Sequence, residues 1–208
     1  MKKYMLIIAL VVLCTLTACA QNKGTSDNKK TENQAQGENM KNVLVAYFSC
    51  TGNTRSLAEQ IADVLKADLY EIKPQIPYSS EDLNWRNNSS RSTREQNDSS
   101  SRPAISGKAA DFEKYNIVFL GYPIWFGQAP KIIYTFIESY DFSDKTIVPF
   151  CTSGSSQIGL SASNLHSLSS NAKWLSGSRF ANNTSRSAIE TWINGLSLNI
   201  TAMETQNK

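Results

Sequence analysis

Val43-Leu44-Val45-Ala46-Tyr47-Phe48-Ser49-Cys50-Thr51-Gly52-Asn53-Thr54 opens the patterned part of this 208-residue chain. Its first six residues form a continuous apolar run, the pattern of a strand buried on both faces. Hydroxyls and a glycine end the run, and the period then changes. Leu57, Ala58, Ile61, Ala62 and Leu65 recur at helical spacing, with Asn53 or Thr54 placed to act as the N-cap. A strand that passes directly into a helix starts a βαβ unit. Sheets built from such units are parallel and bind ligands at the carboxyl ends of their strands.

The same alternation continues outward from this point. Residues 67–73 read as a second strand, 117–120 as a third, 146–150 as a fourth, and Trp174-Leu175 as a short fifth. Helical periods cover 131–138 and 158–170, and Ala188, Ile189, Trp192, Ile193 and Leu196 mark an amphipathic helix near the end. The expected fold is α/β, a doubly wound five-stranded parallel sheet with helices on both faces. Residues 74–108 break the rhythm, being rich in Ser and Asn with no sustained period. A connection of that length inside a compact domain is usually functional or disordered. Tyr78, Leu83 and Trp85 give it something to pack, while Arg86, Arg91, Arg94 and Arg102 offer anchors to carboxylates or to a phosphate.

Composition narrows the function. With 40% hydrophobic and 19% charged residues the chain suits one globular domain. Two of its three net positive charges are Lys2 and Lys3, ahead of an apolar run. Without them the charge is near +1, which is no footprint for nucleic acid. Four scattered cysteines without a CxxC pair and a single histidine supply no zinc site, so no metal is expected. His166 lies in a polar stretch and reads as a solvated surface residue.

The first forty residues read as an address. Lys2 and Lys3, the apolar stretch from Met5 to Leu16 and the small Ala18 before Cys19 follow the order of a secretory signal, residues 1–18. Leu16-Thr17-Ala18-Cys19 also resembles a bacterial lipobox, which implies lipidation of Cys19. Acyl chains buried at roughly 0.8 kcal/mol per CH2 would then hold the protein at the extracytoplasmic face of a membrane. Residues 19–40 have a composition that cannot offset ordering entropy, and they read as a tether with a reach of roughly 25 Å. The folded domain is expected over 41–208.

Ser49 to Thr54 combines hydroxyls, a glycine that lets backbone approach closely, and a helix N-terminus whose N–H groups face an anion. A phosphate monoester suits it. A nucleotide P-loop would need a second glycine and a lysine, both missing here. Low-molecular-weight phosphatases place five residues between their cysteine and arginine and take a general acid from an Asp-Pro pair. Cys50 and Arg55 are separated by four residues, and no Asp-Pro occurs.

Ser49-x-Thr51-Gly52-Asn53-Thr54 resembles the phosphate signature of the flavodoxin family, and the resemblance extends over nearly the whole domain. It implies a sheet of order 2-1-3-4-5 and FMN as the cofactor. Ser49, Cys50, Thr51, Gly52, Asn53 and Thr54 inherit the phosphate loop. Gly121-Tyr122-Pro123-Ile124-Trp125-Phe126-Gly127 resembles the family's Gly-Tyr-Pro-Ile-Trp-Trp-Gly element, with Phe126 at the second tryptophan. Pro123, Ile124, Trp125, Phe126 and Gly127 are therefore expected at the ring, with Trp125 or Phe126 stacking on it. Gly121 and Gly127 are expected to give the backbone the latitude a flavodoxin uses beside its ring. Cys151 to Gln157 resembles the family's Thr-Ser-Gly-Gly-Ser element, so Thr152, Ser153, Gly154 and Ser155 are expected on the pyrimidine side. The insertion, with Pro77-Tyr78-Ser79, Asp82-Leu83-Asn84-Trp85, Ser90-Arg91-Ser92 and Arg102-Pro103-Ala104-Ile105, is similar to that of flavodoxin-like proteins with an elaborated second crossover. It is expected to cover one edge of the site with Trp85 or Tyr78 near the ring.

Cys50 and Cys151 should lie about two strand spacings apart, roughly 10 Å, too far for a disulfide. The resemblance implies electron transfer by a tethered flavoprotein with no indispensable acid or base, serving a redox partner protein or a small redox substrate. An FMN-dependent NAD(P)H or quinone oxidoreductase would use the same cofactor residues. A binding module that kept the fold without the cofactor is the reading from another class.

Overall fold

The computed structural model describes residues 42–198. The stretch read as a signal, Cys19 and the stretch read as a tether lie outside the described residues. Strand β1 (Val43–Tyr47) forms where the apolar run was read, and all five of its residues are buried. Helix α1 (Asn53–Leu65) follows, then β2 (Asp68–Glu71). The central strands β5 (Ile117–Pro123) and β6 (Thr146–Thr152) are separated by α3 (Lys131–Glu138). The far edge carries β7 (Lys173–Trp174) and β8 (Ser178–Phe180), and α5 (Arg186–Gly195) closes the fold. All pairings in this sheet are parallel, and its order is β2-β1-β5-β6-β7, with β8 also on β6. Counted along the sheet alone, this is the expected order 2-1-3-4-5.

Alternation along the strands divides the core in two. Leu44, Ala46, Val118, Leu120 and Ile147 face α3, where they meet Ile132, Ile133, Phe136 and Ile137. Val43, Val45, Ile117, Phe119, Val148 and Phe150 face the other way, against Leu57, Ala58 and Ile61 of α1 and Ile189 and Ile193 of α5. A period of two with both phases apolar is what a sheet covered on both faces requires.

Several boundaries differ from the sequence reading. Residues 67–73 are not one strand: β2 stops at Glu71, and β3 (Lys73–Pro74) pairs antiparallel with β4 (Ile105–Ser106). That small ladder joins the two ends of the insertion. The fifth strand position is filled by two pieces, β7 along Thr146 and Ile147 and β8 along Phe150 to Thr152. They part at Pro149, which has no N–H to give a ladder, and Gly177 passes so close that a Cβ there would sit 2.6 Å from the Pro149 carbonyl oxygen. The helical period read over 158–170 yields α4 (Gly159–Ser163) and one 3-10 turn, His166–Leu168. Serines and asparagine through this stretch compete for backbone partners and favour turns.

The insertion is ordered by its polar residues. Ser90 caps α2 (Arg91–Asn97) by accepting from the Thr93 amide. Arg91 pairs with Glu95 at 2.7 Å, donates to the Ile76 carbonyl and stacks 4.0 Å from the centre of the Tyr78 ring. Arg102 holds Glu138 with two hydrogen bonds, tying the insertion to α3. Arg94 donates to the Ser89 carbonyl, and Arg86 lies over Trp85. Two of the four arginines thus meet carboxylates.

A candidate flavin site at the carboxyl end of the sheet

A cavity of about 740 Å³ opens where β1, β5 and β6 end, within the size range of small-molecule sites. Three loops and the insertion wall it. At one end stand Ser49, Cys50, Thr51 and Thr54; at the other, Pro123, Ile124, Trp125 and Phe126. Ser153, Gly154 and Ser155 come from the loop after β6, and Trp85 comes from the insertion.

The loop after β1 is shaped by one glycine. Gly52, not Asn53 or Thr54, is the N-cap of α1, and its φ of 87° belongs to the left-handed region that favours glycine. Its amide donates to Ser49 Oγ at 3.1 Å. No side chain caps the helix, so its first-turn N–H groups stay open toward the loop. Gly52 and Asn53 do not line the cavity, while Thr54 does and is buried. Thr54 Oγ1 lies 2.7 Å from Thr152 Oγ1. Thr152, expected on the pyrimidine side of the ring, is buried and does not itself line the cavity.

Cys50 is a free, half-buried thiol that burial pushes up to about 12, against a smaller opposing pull from Arg91. Arg55 is turned to Glu71. A protonated thiol and an arginine engaged elsewhere do not form the thiolate and arginine pair of a phosphatase loop. Cys151 is free and buried, also pushed up to about 12 by burial.

The aromatic loop is a tight turn. Trp125 and Gln128 exchange hydrogen bonds at 2.9 Å, and between them Phe126 and Gly127 take φ values of 50° and 73°. Two consecutive positive φ angles are the mark of a type I′ turn. Trp125 is built into the wall, edge-on to Phe48 at 5.5 Å and to Tyr78 at 5.3 Å. Phe126 is 48% exposed and Trp85 64% exposed, so both line the cavity with uncovered ring surface, Trp85 carrying Arg86 over one face. Tyr78 supports Trp125 from behind and does not itself line the cavity, and Gly127 stands outside it too. Gly121 does not supply backbone latitude: its φ is not positive, and a Cβ there would fall 2.2 Å from the Phe150 ring. Close packing is its reason.

Some residues of the site went unread. Leu83, Ser92 and Ser156 line the cavity. Ser92 stood in the insertion motif and Ser156 in the third loop, and neither spacing marked them. Arg179 clamps the third loop, donating to the Ser153 carbonyl at 2.7 Å, to the Gly154 carbonyl and to Ser153 Oγ. Nothing in the sequence linked it to a loop 26 residues earlier. His166 is exposed, with its ring 4.6 Å from that of Trp174.

The flavodoxin family model matches residues 42–196. The chain belongs to the flavodoxin family. It is similar to two crystal structures of candidate flavoproteins. One, from Bacteroides eggerthii DSM 20697, is 45% identical with a TM-score of 0.72 over 76% of this chain and 98% of that one. The other, from Bacteroides uniformis ATCC 8492, is 41% identical with a TM-score of 0.71 over 74% and 98%. A flavoprotein from Lactobacillus acidophilus NCFM, solved in complex with FMN, shares the fold at 18% identity, TM-score 0.56, over 76% and 99%. No curated protein sequence matches significantly. Among the described residues of this flavodoxin-family chain, no cluster of His, Cys, Asp or Glu is arranged to hold a metal ion, and no helix is long and apolar enough to cross a membrane.

Proposed function

We propose that this protein is an FMN-binding electron-transfer flavoprotein, tethered through lipidated Cys19 to the extracytoplasmic face of a membrane. One observation carries the cofactor: a single cavity joins an uncapped helix N-terminus ringed by Ser49, Thr51 and Thr54 hydroxyls to two aromatic faces, Phe126 and Trp85. That donor set fits a phosphate without a cation, as the lining contains no Lys or Arg. The uncovered aromatic surfaces fit a planar ring, whose stacking buries apolar surface on both partners. Family membership and the FMN complex of the Lactobacillus relative support the same choice.

FMN supplies the redox chemistry when bound. The chain's part is to hold and shield it. The α1 amides with Ser49, Thr51 and Thr54 bind the phosphate end; the turn at Phe126 and the wall at Trp85 orient the ring; Ser153, Gly154 and Ser155 face its polar edge. The Cys50 thiol keeps its proton near neutral pH and adds no charge to the cavity. Electron exchange needs no further acid or base from the protein. The lipidated N-terminus and tether rest on the lipobox-like Leu16-Thr17-Ala18-Cys19 and on the polar stretch after it.

The cavity's opening to solvent favours a second reading, an FMN-dependent NAD(P)H or quinone oxidoreductase, because it gives a small substrate a way in. Rapid turnover of NADPH with a quinone by FMN-loaded protein alone selects the oxidoreductase. Absence of turnover, with exchange only to a redox protein, selects the carrier.

A further inference from the structure

The insertion does more than wall the cavity. Gln96, near the end of α2, reaches across to the aromatic loop. Its side-chain amide donates to the Trp125 carbonyl at 3.1 Å and to the Ala129 carbonyl at 3.2 Å, while its oxygen accepts from the Lys131 amide at 3.1 Å. These three backbone groups flank the turn that displays Phe126. A left-handed φ on an aromatic residue is costly and persists only where the surroundings over-determine it. Helix α3 starts at Pro130 with no side-chain cap from its own segment, so its first amide finds its acceptor in Gln96. Trp125, whose carbonyl is thus held, also packs on Tyr78 of the same insertion.

We propose that Gln96 is a positioning residue for the flavin ring: through three hydrogen bonds it fixes the Trp125–Gln128 turn and holds Phe126 at the cavity. The insertion thereby sets affinity for the ring and leaves the phosphate end unaffected. This inference rests on the FMN reading. Gln96→Glu keeps the acceptor for Lys131 and turns a second oxygen toward two carbonyls. Gln96→Met keeps the volume and removes all three bonds.

The test titrates wild type and both variants with FMN and with riboflavin, which lacks the phosphate, and records the Tm of each unliganded protein. Both variants are expected to bind both flavins about tenfold more weakly, so that the FMN-to-riboflavin ratio holds, the scale expected for lost part-buried hydrogen bonds. Exchange of the Gln128 amide, which donates to the Trp125 carbonyl, is expected to quicken. Affinities within twofold of wild type, whatever the Tm, make Gln96 merely structural and overturn the inference. A loss confined to FMN overturns it too. If Gln96→Glu does not fold, Gln96→Met gives the same comparison. Wild-type protein that binds neither flavin overturns the FMN reading and this inference together; wild type that binds while both variants stay unmoved overturns the inference alone.

Discussion

Thr54 and Thr152 stand 98 positions apart and share a hydrogen bond at 2.7 Å, both side chains buried. Thr152 therefore orients, from β6, a hydroxyl of the loop proposed to hold the phosphate. Thr152→Val is expected to weaken FMN binding about fivefold, to leave riboflavin binding unchanged, and to be rescued by Thr152→Ser, in parallel fluorescence titrations. An equal loss for both flavins would remove Thr152 from the phosphate end. Gly121 is the second residue whose role the fold revises. Gly121→Ala forces a methyl into the Phe150 ring and should cost about 2 kcal/mol of stability by urea unfolding. Gly154→Ala, with open space around it, should cost far less. Residue types and local motif announced both positions as important. Their roles were hidden because each depends on a partner brought close only by the assembled fold, Phe150 by strand pairing and Thr54 by the packing of α1 against the sheet.

At the scale of elements, the third loop is held from outside itself. Arg179 on β8 donates to two carbonyls and one hydroxyl of that loop, and among the described residues it has no carboxylate partner. Arg179→Met is expected to speed amide exchange across residues 153–156 and to weaken flavin binding about threefold to tenfold, with little change in far-UV circular dichroism. Unchanged exchange there would show that the loop holds its own shape. β1, α1 and α3 were legible because long apolar periods and buried faces dictate them. α3 matched its expected bounds, 131–138. β8 was not legible: three residues, Ser-Arg-Phe, carry no period, and they pair only because β6 continues past Pro149. The helix expected over 158–170 shrank because serine, asparagine and a glycine at φ 40° favour turns over a continuous ladder.

Across the whole molecule, buried neutral acids tie stability to alkaline pH. Burial holds Cys50 and Cys151 at about 12, from an ordinary value of 9.0, and raises Tyr70, Tyr78 and Tyr122. Between pH about 9 and 12 the folded chain keeps protons that the unfolded chain has lost, so stability must fall as pH rises. The urea midpoint should drop between pH 8 and pH 10.5, and less steeply in Cys50→Ala/Cys151→Ala; a flat profile would mean that these groups are solvated. The parallel, doubly wound sheet could be read from alternation, while its order and the three loops at its carboxyl end came from the family resemblance. The insertion over one edge of the site, with Trp85 near it, was expected from the resemblance; the places of Leu83 and Ser92 in the cavity wall were not, because the insertion's shape is set by Arg91, Glu95 and Arg102 rather than by any apolar period. The central claim is that this cavity is a site for FMN, and adding FMN to the unliganded protein tests it most directly. The account expects one equivalent to bind with quenched flavin fluorescence, and Ser49→Ala/Thr51→Ala to weaken FMN far more than riboflavin. Fluorescence that stays that of free FMN at every protein concentration would contradict it.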